Sequence, residues 1–163
     1  MRFTTTLVFC VLSCSQLYAQ DWQKSFSTLY DDGDVYYYAY DYEKALLQFE
    51  EAYQIAKDHL GVKEIYDGGM AVILTQRNLL GHGEVQKTIN ELLDKYGTEL
   101  NSSQKIVLYR YSGYTGSATA NYERAISSYD SAISIARKIN ADGSLAGLLV
   151  DKSISLIYLN RYD

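Results

Sequence analysis

The sequence contains no proline, a single tryptophan and only two histidines. Both of its cysteines, Cys10 and Cys14, lie near the N-terminus. The lack of proline removes the strongest breaker of helices and argues against a loop-rich β fold. With both cysteines in that early segment, the rest of the chain has no disulfide or thiol chemistry, so its stability must come from packing. There is no run of Lys and Arg, and 20 acidic residues outweigh 15 basic ones for a formal charge of −5. That balance opposes nucleic acid and anionic lipid, which both need a basic patch. His59 and His82 form no HxxxH or HExxH pair, and no cysteine pair accompanies them, so no metal is expected. Gly-Xaa-Ser-Xaa-Gly and P-loop patterns are absent as well, and neither catalysis nor a cofactor is expected. What the chain does have is tyrosine, with 17 against 4 phenylalanines. Tyrosine joins an apolar ring to a polar tip and suits half-buried helix faces and binding surfaces. At 47% hydrophobic and 21% charged residues the composition is that of a globular protein.

Residues 1–19 read as an export leader. Met1-Arg2 gives a basic start, Phe3 to Leu12 a short apolar core, and Leu17-Tyr18-Ala19 a small residue before a cut ahead of Gln20-Asp21. The apolar core is too short for a permanent membrane span. The Ala-Gln-Asp junction resembles signal peptides of Bacteroidetes proteins. Val11-Leu12-Ser13-Cys14 resembles a bacterial lipobox, which would make Cys14 a lipid anchor and tether the domain to a membrane. The expected location is therefore periplasmic or secreted, with a membrane-tethered lipoprotein as the alternative.

Residues 20–163 carry an internal repeat. The stretch from Asp41 to Ala56 reads as one amphipathic helix with Ala45, Phe49, Ala52 and Ala56 on one face. Stepping by 40 residues aligns Ala45 with Val85 and Ala125, Phe49 with Ile89 and Tyr129, and Ala52 with Leu92 and Ala132. One turn earlier Tyr42, His82, Tyr122 and Tyr162 coincide. Three helices thus present one small–large–small face at a fixed period. Other helical stretches alternate with them, at about Trp22 to Tyr40, Val62 to Leu80, Ser102 to Ala120 and Ser144 to Leu159. Seven helices result, alternating A and B. An eighth is expected to begin at Tyr162, which implies that chain continues after it. Gly61 and Gly97 are expected to close the first two B helices as C-terminal caps, and Asn140-Ala141-Asp142-Gly143 the third. Asp41 and Asn101 are expected N-caps, Asn101 with Gln104 three residues on. Asn101-Ser102-Ser103 also fits a glycosylation sequon, although capping accounts for the same residues. Asp31-Asp32-Gly33-Asp34 lacks the alternating ligands and downstream Glu of a calcium loop, and reads as a solvated acidic turn of the first A helix.

These residues resemble the tetratricopeptide repeat (TPR) family. The signature is carried by Gly33, Tyr36, Tyr42, Ala45, Phe49 and Ala52, and again by Gly113, Tyr122, Ala125, Tyr129 and Ala132. The unit between is degenerate, with Ile73, Gln76, His82, Val85, Ile89 and Leu92 at the matching places. The period of 40 exceeds the usual one of about 34, and the closing proline is missing. Longer repeats of this kind resemble those of the kinesin light chain and of bacterial regulators. The resemblance implies an all-α, right-handed superhelix of about three and a half helix-turn-helix units, at about 26–60, 66–97, 102–140 and a partial 144–163, with a concave A-helix surface.

For function, the resemblance implies a non-enzymatic interaction scaffold that binds a partner protein or peptide on the A-helix face. Tyr30, Tyr37, Arg77, Tyr111 and Tyr114 are the candidate binding residues. The alternative is an extracytoplasmic sensor or regulatory module of a larger protein, with a kinase, DNA-binding or protease-like domain downstream. The fold cannot choose between these classes.

Overall fold

The computed structural model describes the backbone of residues 4–162 and the side chains of residues 19–160. Among the described residues the chain is all-α, with seven helices and no strand. They are α1 (Thr4–Tyr38), α2 (Tyr42–His59), α3 (Val62–Asn78), α4 (His82–Tyr96), α5 (Ser102–Ala118), α6 (Tyr122–Lys138) and α7 (Asp142–Tyr162). The side chains of the expected leader up to Tyr18, Cys14 among them, lie outside the described residues, as does that of Tyr162. The backbone of α1 is continuous from Thr4 through the expected cleavage point, so the first A helix begins well before Trp22. No helix among the described residues is long and apolar enough to cross a membrane. At the other end α7 runs through Tyr162, where a new helix was expected to start.

The chain forms two compact units that divide between Thr75 and Gln76, within α3. In the first unit α1 packs along α2. In the second, α4 packs on α5, α5 on α6 and α6 on α7. Packing of these helices on their sequence neighbours is a repeat-like arrangement and is compatible with a TPR-like solenoid.

The repeat columns are the cores of these units. Ala45, Phe49, Ala52 and Ala56 of α2 are almost fully buried, as are Ala125, Tyr129, Ala132 and Ala136 of α6. Val85, Ile89 and Leu92 of α4 are buried in the same way. A 3.6-residue period puts each set on one stripe, and burying one large apolar side chain there contributes about 1.5–3 kcal/mol. In the second unit the α6 stripe joins Ile106 of α5 and Leu148 of α7 in one cluster, edged by Tyr109 and Leu145.

The A–B turns share one backbone design. Tyr40, Leu80 and Ala120 stand 40 residues apart, each with a positive φ, of 63, 57 and 57°. The following residue donates its N–H back to the preceding helix in every case: Asp41 to the Tyr36 carbonyl (3.0 Å), Gly81 to that of Gln76 (2.9 Å) and Asn121 to that of Gly116 (2.8 Å). This is the Schellman closure, in which one left-handed residue lets the last carbonyls find donors. Asp41, Gly81 and Asn121 then act as N-caps of α2, α4 and α6. Asp41 accepts from the N–H of Lys44, and Asn121 from that of Arg124. Gly81 has no side chain to offer. α3 and α5 therefore end two residues sooner than expected, because Leu79-Leu80 and Thr119-Ala120 belong to the turns.

Of the two expected glycine caps, Gly97 does cap α4, its N–H donating to the Leu93 carbonyl at 3.1 Å, whereas Gly61 does not cap α2. No glycine among the described residues has a positive φ. α2 closes through Leu60 in an extended conformation, with φ −118°, and Gly61 lies beyond it. Gly97 stays right-handed at φ −57°, where a Cβ would collide with the carbonyl oxygen of Leu93. Glycine is used there for lack of bulk, not for a left-handed turn. Asn140, with φ 54°, does close α6 as expected. Asn101 caps α5 with the expected reciprocal bonds: Asn101 Oδ1 accepts from the Gln104 N–H and Gln104 Oε1 accepts from the Asn101 N–H, both at 2.9 Å.

Candidate functional site

The five candidate binding residues fall into two groups. Tyr30 and Tyr37 belong to the first unit, Arg77, Tyr111 and Tyr114 to the second.

Tyr30 is a packing residue. Its half-buried ring lies 5.6 Å from that of Phe26 and 5.4 Å from that of Phe49, on the core side of α1. Burial pushes its pKa up, and the charges of Asp34 and Asp67 add to that shift. Tyr37 stands edge-on to Tyr38 (5.7 Å) and to Tyr42 (5.4 Å), and Tyr42 meets Tyr40 at 6.1 Å. Four rings thus form a chain of perpendicular contacts around the α1–α2 turn. Tyr38 and Tyr40 are exposed at its ends. Tyr36 lies 5.5 Å below the ammonium of Lys44. Perpendicular rings offer edges and tips rather than one flat platform. The acidic run Asp31-Asp32-Gly33-Asp34 lies in mid-helix, with Gly33 buried against Phe49.

In the second unit Arg77, Tyr111 and Tyr114 line one cavity of about 480 Å³. Val107, Arg110 and Asp151 complete it. Every wall comes from an A helix: the last turn of α3, the middle of α5 and the middle of α7. The Arg77 guanidinium lies 5.5 Å from the Tyr111 ring centre and 5.9 Å from that of Tyr114. The rings' negative faces steady its charge. Arg110 donates from Nε to Oδ2 of Asp151 at 2.9 Å, and that pair ties α5 to α7. Gly147 lies beneath the same guanidinium, since a Cβ there would stand 3.4 Å from Nη2. The cavity thus holds two guanidinium groups against one carboxylate, in a chain whose net charge is negative.

Arg110, Asp151 and Val107 were not singled out from sequence. The available signal was the spacing of Arg110 and Asp151, 41 residues apart. That places opposite charges at nearly matching points of successive A helices.

Two other hollows lie in the second unit. One, of about 860 Å³, is an open groove along α6 and α7 lined by Tyr109, Ile126, Asp130 and Leu156 among others. Its Asp130 is already paired with Lys152 at 2.6 Å. The other, of about 390 Å³, lies beside the start of α4 with His82, Lys87 and Arg124. His82 Nδ1 is buried there without a hydrogen-bond partner among the described residues. His59, in the first unit, stacks on Trp22 with ring centres 3.8 Å apart. Among the described residues no three His, Cys, Asp or Glu side chains converge to hold a metal ion. α7 also exposes Leu149, Val150, Ile154, Leu156, Ile157 and Tyr158.

No protein-family model matches this chain, and no curated protein matches it.

Proposed function

We propose that the chain is a non-enzymatic interaction scaffold of the TPR type, a right-handed superhelix that binds a partner protein or peptide on its A-helix face. The observation that supports this most is the A-helix cavity, where Arg77, Tyr111 and Tyr114 meet and the one carboxylate in the lining, Asp151, is paired with Arg110. Tyrosine and arginine are the side chains most often found at the energetic centre of protein interfaces. The shared turn at Tyr40, Leu80 and Ala120 supports the 40-residue repeat on which the superhelix depends. The leader pattern of residues 1–19 supports export to the periplasm or beyond, with cleavage after Ala19.

Selection of a random peptide display library against the full chain tests the binding reading. Peptides whose affinity falls on Tyr114→Ala support it. Failure to enrich any peptide, or enrichment indifferent to Tyr111→Ala and Tyr114→Ala together, refutes it. N-terminal mass measurement of the exported protein tests the leader: a start at Gln20 is expected, and a lipidated Cys14 would replace it with the anchored form.

A further inference from the structure

We infer that the A-helix cavity of the second unit recognises a single carboxylate, an Asp or Glu side chain set between apolar neighbours in an extended partner segment. This rests on the peptide-binding reading above and names the chemistry of its anchor.

Arg77 carries the inference. No carboxylate pairs with it among the described residues, although the chain has an excess of acids. Arg77 is half-buried and its guanidinium lies over two tyrosine rings, and contact with ring faces leaves the in-plane N–H donors to be satisfied by another group. Arg110, the other cation of the cavity, is committed through Nε to Asp151. One positive charge is therefore left over. A guanidinium edge matches a planar carboxylate with two parallel hydrogen bonds. Val107 and the exposed ring of Tyr114 border the same cavity and offer apolar surface to the residues beside the acid.

The surroundings narrow the class further. The chain as a whole is acidic, so a polyanion or a long acidic tract meets repulsion before it reaches the cavity. One acid with apolar neighbours satisfies Arg77 without that cost. An amide in place of the carboxylate keeps one acceptor oxygen but loses the charge and the second parallel hydrogen bond, which makes Glu against Gln a sharp comparison.

The test uses the full chain and peptides drawn from the display selection. Enriched sequences should carry one Asp or Glu flanked by apolar residues. Replacing that Glu by Gln in the synthetic peptide should weaken binding about tenfold or more, measured by fluorescence anisotropy. Arg77→Gln should weaken binding by the same factor and remove the difference between the Glu and Gln peptides, with the helical circular dichroism unchanged. Arg77→Lys, which keeps the charge but not the fork, should recover only part of the affinity. If selected peptides bind but lack an acid, or the Glu and Gln forms bind alike, the carboxylate anchor is wrong while the scaffold reading stands. If no peptide is enriched, both fail. If phosphoserine in place of Glu binds about tenfold tighter, or inorganic phosphate displaces the peptide at millimolar concentration, the site is a phosphate site and the inference is overturned.

Discussion

Gly113 of α5 lies so close against the ring of Tyr129 of α6 that a Cβ on Gly113 would stand 2.5 Å from Cε1. Gly33 and Phe49 meet in the same way one double repeat earlier, again at 2.5 Å. The aromatic ring fills the gap that the glycine leaves, and this is how the A and B helices of a pair approach each other. Tyr129 is 2% exposed and cannot swing aside. Gly113→Ala should therefore destabilise the chain. Overpacking costs about 1–3 kcal/mol, against a gain of about 1 kcal/mol in helix propensity. The urea midpoint should fall, and adding Tyr129→Leu should recover part of the loss. Gly83→Ala is the control: nothing lies within 4 Å of its added Cβ, so the midpoint should hold or rise.

The turns can be improved. Leu80 is 76% exposed and holds φ 57°, so its side chain gains little and its backbone is strained. Leu80→Gly should raise stability by about 0.5–1 kcal/mol. Gly81→Asp should add the cap bond that Asp41 and Asn121 already make in the matching turns, for about 0.5–2 kcal/mol. A Cβ at Gly81 would meet the Gln76 carbonyl oxygen at 3.3 Å, which will place the gain low in that range. Thermal unfolding of the two variants and of their combination measures both terms.

A buried polar chain crosses the second unit. Ser112 Oγ of α5 donates to Gln86 Oε1 of α4 at 3.2 Å and shares a 2.9 Å bond with Ser128 Oγ of α6. Since the Ser112 proton goes to Gln86, Ser128 is the donor in the second bond. Gln86 in turn donates from Nε2 to Asn90 Oδ1 at 2.7 Å. Ser112→Ala should cost about 1–3 kcal/mol, because it leaves the buried Gln86 oxygen without its donor. A double-mutant cycle of Ser112→Ala with Gln86→Leu should show coupling of the same order, since the second change removes the buried Gln86 oxygen that the first leaves without a donor.

Alkaline pH should destabilise the second unit through Tyr129. Burial pushes the pKa of this tyrosine up, and a hydrogen bond with Ser117 only partly opposes that shift. The folded state therefore keeps the Tyr129 proton to a higher pH than the unfolded chain does. Its contribution is complete below the ordinary tyrosine range, near pH 10, and is lost as the pH rises through the raised value. Tyr129→Phe should keep the fold, because Phe49 fills the matching place in α2, and should move the alkaline unfolding midpoint upward. Tyrosinate absorbance followed with circular dichroism reads both events.

The helical class and the repeat were legible because their causes are local. Ala45, Phe49 and Ala52 share a face for any helix that contains them, and the same spacing recurs at Val85 and at Ala125. The Asn101–Gln104 cap was legible for the same reason, since both partners lie within one turn. Of the glycine caps, Gly97 kept its place without a left-handed turn and Gly61 did not take one, because glycine permits a left-handed residue without requiring it. The candidate site was legible in part. Arg77, Tyr111 and Tyr114 were named as A-helix residues, but Arg110 and Asp151 were not, because their pairing joins two helices across 41 residues.

By itself, then, the sequence determined seven alternating helices, their 40-residue step and the small–large–small stripes that become the cores, since all of these follow from side-chain period along one helix. Only the tertiary structure decided which residue takes the left-handed turn, for Leu80 and Ala120 have no preference for it and are held there by the packing of the helices on either side. It also decided that Tyr30 turns inward to Phe49 while Arg77 meets Tyr111 and Tyr114. Each residue along a helix changes direction by about 100°, so a small difference in helix phase separates a core ring from a cavity wall.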